Sequence, residues 1–289
     1  MKTVTISKDN NAQKAVEEVL SLLSSFSIRN KTVLVKPNAN TPDPPPGSTD
    51  PIFLDAVLKV LKNYEPKDII VAEKSMTTLD TTEVMKETGM HAVIMENHVE
   101  FLDFDTCDWM PFTHKDMKTW GMGISLPDIL RKVDIVITLP ICKTHWTAIF
   151  TMALKGQVGF THDRDRMRLP HGQNKDWLFG QMIAEISLGV KAQYTIMDAR
   201  TSFTTEGPNI GTTKSAGIVV ASDDVIANDV VGLAILKMLG STAKIMQCPL
   251  WRQPQIVHAI RLGIGAQNMQ EIMIKGTCKE IRKIEELAH

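Results

Sequence analysis

The chain has 289 residues, 43% hydrophobic and 22% charged, with 32 basic against 33 acidic side chains and a formal net charge of −1. Those proportions describe a globular protein able to bury a sizeable core without staples, and the balanced charge speaks against nucleic acid or an anionic membrane as partner. Cys107, Cys142, Cys248 and Cys278 stand far apart with no CxxC pair, so neither a zinc knuckle nor an iron–sulfur cluster is expected on this chain.

The N-terminal MKTVTISKDN is polar and no apolar run is long enough to span a bilayer, which points to a cytoplasmic protein with reduced thiols. Thr3 to Ser7 reads as a short strand. Ala12 to Phe26 carries apolar residues at helical spacing. Thr32 to Val35 is a β-branched run of buried-strand type that ends at Lys36-Pro37-Asn38. A Pro-rich loop leads to a helix predicted over Pro51 to Asn63, with Asp50 as N-cap and Pro51 in its first turn. Asp68 to Ala72 is a second buried-type strand, ending at Glu73-Lys74-Ser75; a helix over Thr81 to Glu87 and a strand near Val99 to Phe104 follow.

Thr106 to Gly123 is rich in Trp and Met without periodicity, as an insertion or a lid would be. Ser125 to Lys132 reads as a short helix. Asp134 to Leu139 is a third buried strand, leading directly into Pro140-Ile141-Cys142-Lys143-Thr144-His145. Beyond an apolar stretch from Thr147 to Phe160 lie a basic loop, a helix over Trp177 to Val190, and a strand over Gln193 to Met197 ending at Asp198. Gly217 to Ala221 reads as a strand ending at Ser222-Asp223-Asp224, before helices over Val225 to Leu239 and Gln255 to Leu262 and a last strand over Glu271 to Ile274. Alternating strands and helices imply one α/β unit spanning 1–289, with a largely parallel sheet and helices on both faces, either undivided or built as two α/β subdomains with a cleft between them.

Five strands thus end in polar residues: Lys36 and Asn38, Glu73 and Lys74, Lys143 and His145, Asp198, and Asp223. Ligands of open α/β sheets bind beyond the carboxyl ends of the strands, so these residues are expected to converge. Lys143-Thr144-His145 is the sharpest element, because lysine binds an anion or activates a carbonyl and histidine moves a proton or ligates a metal near neutral pH. The basic run from His162 to His171 offers Arg164 and Arg166 for bidentate contacts to phosphate or carboxylate. Lys155, with Gly156 and Gly159 behind it, and Thr49-Asp50 at a helix start are further anion-binding candidates. Plain N-capping explains Thr49-Asp50 equally well.

The order VLVKPN, STDP before a helix, DIIVAEKS, DIVITLPICKTH, ALKGQVGF, a basic loop with His171, DAR…TEGP and ASDDVIANDVV resembles the family known as domain of unknown function 362, over roughly Lys31 to Gly265. The family usually has Leu-Lys-Asn where this chain has Leu154-Lys155-Gly156, and Asp-Gly where it has Asp198-Ala199. Members are often fused to ferredoxin-like modules, which implies redox or cofactor chemistry and a separate redox partner protein. The sequence also shows a looser similarity to lactate racemase-type enzymes, which hold a nickel-pincer nucleotide between two α/β domains.

The expectation is an enzyme acting on a small anionic molecule. His145, Lys143 and Glu73 are its catalytic candidates; Lys36, Asn38, Thr49, Asp50, Thr144, Lys155, Arg164, Arg166 and His171 bind the substrate. In a metal- or cofactor-dependent version, His145, Asp198 and Asp223 hold a divalent ion. The alternative is a non-catalytic carrier of a nucleotide or organic anion.

Overall fold

The computed structural model describes residues 1–170, 172 and 175–289. Its strands are β1 (Lys2–Lys8), β2 (Thr32–Lys36), β3 (Asp68–Glu73), β4 (Glu100–Asp103), β5 (Trp109–Phe112), β6 (Ile124–Pro127), β7 (Ile135–Thr138), β8 (Lys143–His145), β9 (Ile149–Thr151), β10 (Tyr194–Phe203), β11 (Thr213–Ser222) and β12 (Ile272–Gly276). Eight of them form one sheet in the order β12-β1-β11-β10-β7-β2-β3-β4, while β5-β6 and β8-β9 are separate hairpins. Every neighbouring pair in the large sheet is parallel except those of β11, which runs antiparallel to both β1 and β10.

The central strands are apolar on both faces because both faces are covered. Helices Ala12–Leu22, Pro51–Lys62, Thr81–Glu87 and Met90–Glu96 pack on one side. Helices Asp176–Val190, Val225–Leu239, Pro254–Arg261 and Ile281–Ala288 pack on the other. Local signals set their starts. Asp50 accepts the N–H of Ile52 at 2.9 Å ahead of Pro51, and Asp224 accepts the N–H of Ala227 at 2.9 Å, each satisfying a donor that the first helical turn leaves unpaired. The helix Val225–Leu239 is apolar nearly all round and buried along most of its length, as a helix wedged between sheet and outer helices must be.

Three expectations change. Residues 125–127 belong to strand β6, and only Asp128–Arg131 turns, as a 3-10 helix. Pro127 is extended at φ −63° and ψ 134°, and the register of β6 against Trp109–Phe112 claims the preceding residues. The 106–123 stretch is an anchored segment: the Trp120 ring is fully buried, its Nε1 donates to the Met182 carbonyl at 2.9 Å, and the Glu185 carboxylate accepts the N–H groups of Lys118 and Thr119 at 3.1 Å. The strand through Asp198 runs on to Phe203, with an irregularity between Ala199 and Thr201, because β11 pairs with it as a long hairpin. Among the described residues no helix is long and apolar enough to cross a membrane.

Candidate functional site

The neighbouring parallel strands β7, β2 and β3 all end on the same edge of the sheet, and their continuations build a small cavity. Strand β2 delivers Lys36, β3 delivers Glu73, and the chain leaving β7 returns through β8 to place Lys143 and His145. The short helices Ala153–Gly156 and Asp163–Arg166 add Lys155 and Arg166. These residues, with Asn38, Asn40 and Lys74, line a cavity of about 70 Å³, room for a group the size of a phosphate or a short carboxylate rather than a whole nucleotide.

Its walls are strongly cationic. Glu73 is the one lining carboxylate among the described residues. It pairs with the Lys36 ammonium and accepts the N–H groups of Ala39 at 3.0 Å and Lys74 at 2.8 Å. Lys74 lies 2.5 Å from Asp105 and 3.1 Å from Asp163. The other three cations have no carboxylate at salt-bridge distance among the described residues. Lys143 donates to the Gly47 carbonyl, and Arg166 donates to the Asn40 side chain and to the carbonyls of Lys74 and Ser75. Lys36, Lys143 and Lys74 are 2–3% exposed, which makes every unneutralised charge costly.

The titration behaviour follows. Burial, and then the charge of Lys155, push the Lys143 ammonium down to about 7. Burial, and then Arg166, push Lys155 down to about 8. Burial also lowers Lys36, against the opposing pull of Glu73. Cations that crowd one another out of water gain from an anion placed among them, since an opposite charge favours the charged form of each.

His145 sits at the rim. Its Nδ1 accepts the N–H groups of Thr147 and Ala148, both at 3.1 Å. That pattern puts the proton of the neutral imidazole on Nε2. The ring lies near-parallel to Trp146 and edge-on to Phe179. Of the two glycines, Gly159 packs against the site: a Cβ there would stand 2.5 Å from both Cε and Nζ of Lys36, so the end of that side chain would have to shift. At Gly156 a Cβ meets nothing within 4 Å.

One contributor escapes the strand-end argument. Asp229, fully buried in the helix Val225–Leu239, accepts the N–H groups of Ala153 at 2.7 Å and Leu154 at 3.0 Å, fixing the start of the helix that carries Lys155. Burial pushes its carboxyl up to about 7. Its signal in the sequence is the polar pair Asn228-Asp229 inside an otherwise apolar helix.

Other candidates lie elsewhere. The Thr144 hydroxyl donates to the carbonyls of Phe203 and Thr205 and so ties β8 to the β10 hairpin. The Thr49 hydroxyl accepts the Asn38 N–H at 2.8 Å, bracing the loop rather than facing the cavity. Asp50 and Asp198 both bind Arg200 at 2.7 Å and line a separate cavity of about 170 Å³. Arg164 is exposed and reaches the Ser125 hydroxyl at 3.1 Å. His171 lies outside the described residues.

Asp223 is a correction. Because β11 runs antiparallel, its carboxyl end lies at the opposite edge of the sheet, where Asp223 accepts the Thr3 N–H at 2.8 Å and the Ser25 hydroxyl at 2.6 Å. His145, Asp198 and Asp223 therefore do not meet as the expected metal trio. Among the described residues no group of three or more His, Cys, Asp and Glu side chains is placed to hold a metal ion.

Comparison with known proteins identifies the family. The profile described as domain of unknown function (DUF362) matches residues 33–234, and the chain belongs to that family. A thylakoid-associated protein of Synechocystis sp. is 30% identical, the match covering 45% of this chain and 49% of that protein. Among solved structures, the lactate racemase apoprotein from Thermoanaerobacterium thermosaccharolyticum is similar at a TM-score of 0.42 and 11% identity, covering 70% of this chain and 50% of that one. A protein from Thermotoga maritima gives a TM-score of 0.41 at 11% identity, covering 68% and 53%. The chain thus spans about half the length of each of these relatives.

Proposed function

We propose that this member of the DUF362 family is an enzyme that binds a small anionic substrate in the cavity of Lys36, Lys143, Lys155 and Arg166 and moves a proton on it through His145. The observation that carries the reading is the uncompensated positive charge around the cavity: Lys143, Lys155 and Arg166 line it with no carboxylate at salt-bridge distance among the described residues, while Lys36 and Lys74 are paired. A site built only for stability would gain from neutral replacements; an anion-binding site needs this charge.

The roles divide by geometry. Arg166, already oriented by three carbonyl or amide oxygens, presents a planar donor array to the anion. Lys143 and Lys155 supply point charges that strengthen when the anion restores their protons. Glu73 acts through Lys36 and the Ala39 N–H, holding the strand-end loop in place. His145, held in place through Nδ1, is the proton donor or acceptor. The lining does not fit a divalent ion: its donors among the described residues are one imidazole and one carboxylate, the latter paired with Lys36, beside five cationic side chains.

Screening short carboxylates and phosphate esters for turnover tests the reading. The His145→Ala variant is expected to retain anion binding and lose turnover by about a hundredfold or more. Anion binding by the wild type with no turnover of any screened compound would instead make the protein a carrier.

A further inference from the structure

The cationic cavity holds about 70 Å³, enough for the charged head of a ligand and little else. The rest of any larger substrate must lie outside it, against the residues around its mouth. Their chemistry therefore bears on what the substrate carries beyond its head.

Two residues of the cavity wall, His145 and Pro208, lead outward. The Trp146 indole lies within 13° of the plane of the His145 ring, their centroids 6.4 Å apart. The Trp146 N–H donates to the Gly207 carbonyl at 3.2 Å, and the Gly207 N–H donates to the Ile210 carbonyl at 2.7 Å. Trp146 thus stands beside the 207–210 turn that supplies Pro208. It is 60% exposed, and Ile210 is 70% exposed. A third element adds to this side. Phe179 meets the His145 ring edge-on with centroids 6.3 Å apart, and the same first helical turn leaves Trp177 and Leu178 exposed. The Arg261 guanidinium lies over the Trp177 ring at 5.9 Å. Both exposed tryptophans among the described residues are therefore on segments that touch His145. Single exposed apolar side chains are ordinary on a protein surface, whereas their concentration at the mouth of a polar cavity marks a place where something apolar binds.

We infer that the anion bound in this cavity carries an aromatic tail, with its charged head among Lys143, Lys155 and Arg166 and its ring against the Trp146 indole at the mouth. The inference rests on the reading of the cavity as an anion site and adds the class of substrate. A flat ring laid on an indole removes apolar surface of both from water and gains from offset or edge-on ring contacts. The head and the tail are then read by different residues, so their contributions can be measured separately.

Titration calorimetry of the full chain at pH 6.5 with methyl phosphate and with benzyl phosphate tests it, because the two share a head and differ in the tail. Benzyl phosphate is expected to bind at least tenfold more tightly, a gain that corresponds to about 60 Å² of apolar surface removed from water. Trp146→Ala is expected to bring the two ligands within about threefold of each other without weakening methyl phosphate, and Trp146→Phe to keep most of the preference. Trp146 is largely exposed, so its replacement should leave folding intact; Trp146→Gln takes the place of Trp146→Ala should that variant fail to fold. A folded Lys143→Met/Arg166→Met variant is expected to bind neither ligand. Failure of both phosphates to bind the wild type overturns the anion site and this inference with it. Equal binding of the two, or a preference for benzyl phosphate that Trp146→Ala leaves untouched, overturns this inference alone.

Discussion

Lys143 concentrates the physics of the site in one side chain. Its ammonium is held at about 7 in the folded protein, against an ordinary lysine value of 10.5. Between those two values the unfolded chain binds the proton and the folded chain does not, so stability rises with pH across that window; below pH 7 the penalty is present in full. Lys155 acts in the same sense above about 8. Melting temperature should therefore rise between pH 7 and 9, and Lys143→Met should flatten the rise; an identical pH profile in the variant would show that the amine is not so placed. Gly159 and Gly156 give a second contrast. Gly159→Ala should displace the Lys36 ammonium from Glu73 and weaken anion binding, whereas Gly156→Asn, the residue of the family pattern, should leave folding and melting temperature unchanged. Circular dichroism melts of both variants check the pair. Asp229→Ala leaves two buried N–H groups unpaired, at about 1–3 kcal/mol each, measurable as a fall in the denaturant midpoint.

Among the elements, the segment 113–123 is held as core. Trp120→Ala should cost about 3–5 kcal/mol, since the ring is fully buried, hydrogen-bonded to Met182 and covered by the Arg168 guanidinium 5.2 Å from its centroid; urea denaturation reads it. A loss below 1 kcal/mol would mean that the segment is detachable. Elements with a strong local signature were legible in the sequence. The buried runs at Thr32–Lys36, Asp68–Glu73 and Ile135–Thr138 and the capped helix Pro51–Lys62 lie close to where periodicity and cap residues put them. The hairpin β5-β6 was not, because its strands are stabilised by pairing with each other and its Trp- and Met-rich composition carries no period. The helix Met90–Glu96 was missed as well: its start at Gly89 has no side-chain cap.

At the scale of the whole molecule, the site is a consequence of strand direction. Residues at the ends of parallel neighbours meet, so Lys36, Glu73 and Lys143 come together as the sequence suggested. Strand direction is not written locally, and Asp223 looked the same in sequence while lying at the far edge. Asp198 marks another limit: it stands on the expected edge, yet the Arg200 two residues on turns it toward Asp50. Charge balance across the molecule hid the cationic cavity too, since a net charge of −1 says nothing of how charges are sorted in space. Charge sorted in this way is placed to hold an anion. Titration calorimetry with sulfate and with oxalate, at pH 6.5 and at pH 9, tests it most directly, because both anions keep their charge over that range while Lys143 and Lys155 lose theirs. One-site binding is expected at pH 6.5, at least tenfold weaker at pH 9, and absent from a folded Lys143→Met/Arg166→Met variant; failure of both anions to bind at pH 6.5, or equal binding by that variant, would overturn the assignment.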